Sequence, residues 1–118
     1  MLVNLSNHPS RYWDNKQKEA SLCFGELVDM PFPQIAPNAT DEELQELSRE
    51  CVQEIVSLGN PKTITVHIMG EMTFTFMVVT KLKKLGIKCV ASTTERNATY
   101  NSDGVKLSEF SFVKFREY

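Results

Sequence analysis

Residues 63–73 read Thr63-Ile64-Thr65-Val66-His67-Ile68-Met69-Gly70-Glu71-Met72-Thr73. Thr63 to Met69 is β-branched and apolar, as expected of a strand inside a sheet. Gly70 supplies torsional freedom for a strand-to-helix turn and lets a ligand approach the main chain. Glu71 and Thr73 stand where a helix begins, beside amide donors that have no partner within the helix. In a parallel α/β sheet, ligands bind at the carboxyl ends of the strands, so this turn is the first candidate for a site.

The segments on either side extend the pattern. Met1–Leu5 is a short apolar strand, ended by Ser6-Asn7-His8-Pro9, where the proline disfavours helical torsions at His8. Ser10 is the expected cap of a helix running to about Phe24. Glu26–Met30 is a second strand, followed by Pro31–Pro37, too rich in proline to lie inside a sheet. Thr40 and Glu43 form a capping box, and Leu44, Leu47, Cys51, Ile55 and Leu58 recur on one helical face. From Thr73 to Leu85 the residues fit either a strand or a helix. A helix is expected, because two parallel strands need a crossover between them. Phe74, Phe76 and Met77 then read as core.

Ile87–Ala91 is the next strand, ending in the turn Ser92-Thr93-Thr94-Glu95-Arg96. Asn101–Gly104 is a hairpin-type turn. Phe110–Arg116 alternates as an antiparallel edge strand, whose Phe110, Phe112 and Phe115 form either core or a dimer face. Alternating strands and helices imply one α/β domain over residues 1–118, with a mostly parallel sheet and helices on both faces. If the first and third strands are neighbours, their ends bring Ser6, Asn7 and His8 beside Gly70, Glu71 and Thr73, with Thr93, Thr94 and Arg96 one strand further on.

Composition narrows the functional classes. A net charge of −2 disfavours general binding of duplex nucleic acid. Cys23, Cys51 and Cys89 lack metal spacing, and two histidines give no zinc signature, so no metal is expected. No glycine-rich phosphate loop, nucleophile elbow or serine or cysteine triad is recognisable. No signal peptide or membrane-spanning run is read, and a cytoplasmic protein is expected. The hydroxyls and helix-start amides of the converging set suit phosphate oxygens, Arg96 adds a cation, and His8 adds an imidazole suited to proton transfer. His67 reads as a packed core histidine.

These residues resemble a known group. Leu2-Val3-Asn4-Leu5-Ser6-Asn7-His8-Pro9, Met69-Gly70-Glu71-Met72-Thr73, Ala91–Arg96 and the tail Phe112–Tyr118 are similar to segments of small stand-alone CRISPR-associated proteins with a Rossmann-like (CARF-like) fold. The resemblance implies a homodimer that binds a cyclic oligoadenylate across its two-fold axis, with no cofactor. In some members the ribose 2′-hydroxyl attacks the adjacent phosphate without a metal. It implies His8, Glu71 and Arg96 as catalytic residues, with Ser6, Asn7, Gly70, Met72, Thr73, Thr93 and Thr94 binding the ligand. A binding-only sponge and a small subunit docking through the C-terminal strand are the alternatives.

Overall fold

The computed structural model describes residues 1–118 as a five-stranded sheet with helices on both faces. Strand β1 (Leu2–Ser6) leads through a single 3₁₀ turn into α1 (Asn15–Ser21), then β2 (Leu27–Pro31). Helix α2 (Asp41–Val56), β3 (Thr65–Met69), α3 (Met72–Lys84), β4 (Lys88–Tyr100) and β5 (Lys106–Glu117) follow. The strand order is β2-β1-β3-β4-β5, parallel except for the β4–β5 pair. β1 and β3 are neighbours, with Ser6 opposite Met69. The chain winds one way from β1 to β2 and the other way from β1 to β3. The switch point therefore falls at the Ser6 and Met69 ends.

Burial explains the local choices. Every residue of β1 is buried, as a central strand covered on both faces must be. Its pleat divides the side chains: Val3 and Leu5 join a core with Ile55, Phe74, Val78 and Leu82 of α2 and α3. On the opposite face Leu2 packs with Trp13 and Val90 beneath α1. The capping box at Thr40 and Glu43 is formed as expected. α3 is a helix, with Phe74 fully buried and three lysines in its last turn. Phe76 instead points outward and is 72 % exposed, and Leu58 also reaches the surface, so both drop out of the expected core.

Three further expectations are corrected. The first helix is capped by Asp14, which accepts from the Gln17 N–H, and not by Ser10. Ser10 donates its hydroxyl to Asp29 at 2.7 Å. Residues 92–96 form no turn: β4 runs on to Tyr100 and pairs with β5 as a long ribbon. Only Lys88–Val90 of β4 pair with β3, so the ribbon leaves the sheet and projects as an arm. A register shift at Thr93/Thr94 bends it.

Gly70 is required by space. Its φ is not among the positive values, which belong to Gly25, Gly86 and Gly104. A Cβ at Gly70 would stand 2.3 Å from the Phe32 ring, which itself packs edge-on to Phe74. Gly70→Ala is therefore expected to destabilise the protein by about 1–3 kcal/mol, the usual cost of overpacking. Urea titration checks this; an unchanged midpoint would mean that the ring yields freely.

Candidate functional site

A cleft of about 660 Å³ opens at the switch point, within the size range of small-ligand sites. It exists because β4 parts from β3 after Val90, leaving a gap beyond Met69. Ser6, Asn7 and His8 line it from the end of β1, Gly70 from the end of β3, and Ser92 and Thr94 from the diverging β4. Tyr12 and Gln17 close one side, and Phe110 and Phe112 of the arm close another. No lysine or arginine lines the cleft, and Asp14 is its one carboxylate.

Beneath the cleft lies a buried polar network built on the α1 face of the sheet. Asn4 donates from Nδ2 to the Asp29 carboxylate at 2.8 Å and to the His8 carbonyl at 3.0 Å. Two acceptors on one side settle the orientation of the amide, so Oδ1 must accept. The Ser6 hydroxyl donates to that Oδ1 at 2.8 Å, and His67 Nδ1 lies 2.8 Å from it. His67 therefore carries its proton on Nδ1, by inference from its partners. Nε2 is left as an acceptor and faces the Ser92 hydroxyl at 2.6 Å. The Gln17 amide donates to the same hydroxyl at 3.1 Å.

The surroundings keep the imidazole of this network neutral and the Asp29 carboxyl ionised. Burial, with the nearby His8 in second place, lowers the His67 pKa to about 4, so the imidazole is uncharged at neutral pH. Trp13 and Phe115 stand edge-on to its ring at 5.5 and 5.4 Å. Partial burial alone would raise the Asp29 pKa, but hydrogen bonds from Ser10 and Asn4 leave it below its ordinary value. The His8 carbonyl also accepts from the Trp13 indole at 3.1 Å, which pins the loop after β1.

Of the residues expected at the site, Ser6, Asn7, His8, Gly70 and Thr94 line this cleft. Glu71 lies outside it. Its carboxylate caps α3, accepting from the N–H groups of Thr73 and Phe74 and from the Thr73 hydroxyl. The Phe74 N–H, the Thr73 hydroxyl and the Thr73 N–H, in that order, hold the Glu71 carboxyl below its usual range. The helix start expected to cradle phosphate is thus occupied by the chain's own anion. Met72 and Thr73 open onto separate cavities along α3. Thr93 faces away and donates to the Lys114 carbonyl at 3.1 Å. Arg96 lies out on the arm, bonded to Ser108.

His67, Ser92, Gln17 and Tyr12 were not legible as site residues. Only the buried polar positions within apolar β1 and β3, Asn4 and His67, hinted at them.

This chain belongs to the Uncharacterized protein MJ1673 family. The family model matches residues 1–116, spanning the central strands, the cleft and the arm together. No curated protein matches the chain. The family's description names no ligand or reaction, so in this MJ1673-family chain the likeness to CARF-like proteins rests on the residues quoted for it. No group of histidine, cysteine and acidic side chains is arranged to hold a metal ion. No helix is long and apolar enough to cross a membrane.

Proposed function

We propose that this MJ1673-family chain is a cytoplasmic protein that binds a cyclic oligoadenylate in the cleft above β1, β3 and β4, with two copies sharing one ring. The observation that carries the reading is where the cleft lies and what walls it. It sits at the switch point, with Tyr12 and Phe110 available to stack on a base, above hydroxyl and amide side chains suited to base edges and ribose. Ser6, Asn7, His8, Gly70 and Thr94, which belong to the segments similar to CARF-like proteins, all line it. A ring of four or six nucleotides is larger than one such cleft, and a two-fold axis would let each copy hold half.

Charge dictates how the ring would lie. With no cation in the lining, the bases and sugars enter and the phosphates stay at the rim. Two arginines stand beside lining residues: Arg11, 4.6 Å above the Tyr12 ring, and Arg96, opposite Phe110 in the ribbon. In this reading cleavage is attack of a ribose 2′-oxygen on the adjacent phosphate: the 2′-hydroxyl gives up its proton, the P–O5′ bond breaks, the departing 5′-oxygen takes a proton, and a 2′,3′-cyclic phosphate remains. His8 is the exposed imidazole of the lining, placed to assist. Glu71, committed to the helix cap, takes no part.

Incubation of the purified protein with cyclic tetra- and hexa-adenylate in EDTA, followed by chromatography, tests the reading. The expected products are linear species ending in a 2′,3′-cyclic phosphate, formed at least tenfold more slowly by His8→Ala. An intact ring that co-elutes with the protein would retain binding and withdraw cleavage. A ring neither bound nor cut would overturn the reading.

A further inference from the structure

The geometry points to Ser92 as a nucleophile for acyl transfer from a neutral ester, with His67 as its base. This activity is distinct from the nucleotide reading and does not depend on it. Ser92 Oγ lies 2.6 Å from His67 Nε2, and the other ring nitrogen lies 2.8 Å from Asn4 Oδ1. That is a nucleophile–base–orienter arrangement of the kind serine acyl transferases and hydrolases use, with a neutral amide in place of their carboxylate, assembled here from β4, β3 and β1. Asn4 cannot exchange its role for that of a donor, because its Nδ2 is held by the Asp29 carboxylate and the His8 carbonyl. The tautomer with a bare Nε2 is therefore built into the fold. Asn4 is a positioning residue. Ser92 is half-buried and opens into the cleft, so its hydroxyl can meet a substrate.

Donors for the developing oxyanion stand beside the nucleophile. Beyond the end of β3–β4 pairing, the Ser92 N–H donates to the Met69 thioether at 3.2 Å, a weak acceptor that a charged oxygen would displace. The Gln17 amide already points at Ser92 Oγ from 3.1 Å. The charge of the cleft selects the electrophile. With Asp14 and no cation in the lining, an uncharged carbonyl that gains one negative charge is better tolerated than a phosphodiester that gains a second.

The steps balance without any further reactant than water. Ser92 Oγ attacks the carbonyl carbon and gives its proton to His67 Nε2. The carbonyl π pair moves onto oxygen, where the Ser92 N–H and the Gln17 amide meet it. The intermediate collapses, the C–O bond to the alcohol breaks, and the departing oxygen takes the proton from His67. Water, deprotonated by His67, attacks the acyl-Ser92 ester. The bond to Ser92 Oγ then breaks, the proton returns to Oγ, and a carboxylic acid leaves. The ring walls Tyr12, Phe110 and Phe112 suit an aromatic or other apolar ester.

The test is labelling of the intact protein with a fluorophosphonate probe, read by intact mass and peptide mapping, beside hydrolysis of p-nitrophenyl butyrate. The expected result is one adduct, on Ser92, absent from Ser92→Ala and formed about tenfold more slowly by Gln17→Ala. Ester hydrolysis should follow the same order. Nitrogen-15 NMR of the His67 ring should report a protonated Nδ1 and a bare Nε2, a preference lost in Asn4→Ala. Ser92→Ala leaves His67 Nε2 and the Gln17 amide without their shared partner, so circular dichroism must first verify that the variant is folded. Absence of label from folded wild-type protein, or label on any other residue, would overturn the assignment, as would ester hydrolysis undiminished in Ser92→Ala.

Discussion

Lowering the pH from 7 to 5 is expected to remove about 2 kcal/mol from the unfolding free energy of this protein. The cause is His67. Its folded pKa is lowered to about 4 from an ordinary value of 6.5, so the unfolded chain takes up a proton between those values and the folded chain does not. The contribution is fully present above pH 6.5 and is lost as the pH falls towards 4. Complete passage through that window would cost about 3 kcal/mol at 1.36 kcal/mol per unit. Asp29 and Glu71 are both held below their ordinary carboxyl values of 3.8 and 4.5, so their stabilisation is lost mainly below about pH 5, more acid than the range from 7 to 5. Urea titrations at pH 7, 6 and 5 isolate the histidine. His67→Gln should flatten the slope between pH 7 and 5. A wild-type stability that stays level over that range would mean that the imidazole is not held neutral, and the donor assignment at Asn4 would fall with it.

The two phenylalanines of the arm should behave oppositely. Phe112 is 4 % exposed and packs against Phe115 at 4.8 Å between ring centres, whereas Phe110 is 68 % exposed. Phe112→Ala is expected to cost about 3–4 kcal/mol, from lost burial and the cavity left behind. Phe110→Ala should stay within about 0.5 kcal/mol of wild type, as surface substitutions do. Yet Phe110 walls the cleft, so its removal should weaken whatever stacks there. Thermal unfolding of both variants beside cyclic tetra-adenylate titration separates the two roles. Equal stability losses would show that the arm is packed at Phe110 as well. The row of phenylalanines, which sequence left between core and dimer face, is thus divided: Phe112 is core, Phe115 is half-buried against Trp13, and Phe110 is free.

The secondary structure was legible where short-range chemistry decides it. The capping box at Thr40 and Glu43, the helical recurrence from Leu44 to Ile55, and the β-branched run before Gly70 each predict an element that is present. The need for a crossover correctly made α3 a helix against its alternating phenylalanines. The α/β class followed from the order of these elements, whereas the β1–β3 pairing entered the sequence reading as a condition that the structure meets. Errors arose where a local signal had a distant competitor. Ser10 looked like a helix cap, but Asp29, on β2, takes its hydroxyl. Residues 92–96 looked like a turn, but pairing with β5 continues them as a strand. Gly70 looked like a torsional requirement, but Phe32 fills the space its side chain would need.

What the sequence by itself determined was the alternation of strand and helix, because periodicity and connection rules act between near neighbours. What only the tertiary structure decided was the chemistry beneath the cleft. Asn4, Gln17, His67 and Ser92 are joined by consecutive hydrogen bonds whose partners lie as much as 75 residues apart in sequence. They meet because parallel pairing sets β1 beside β3 and β3 beside β4, and because the pleat turns Asn4 and His67 to the same face. Register between strands is set by long-range packing, so no local spacing could have announced the network.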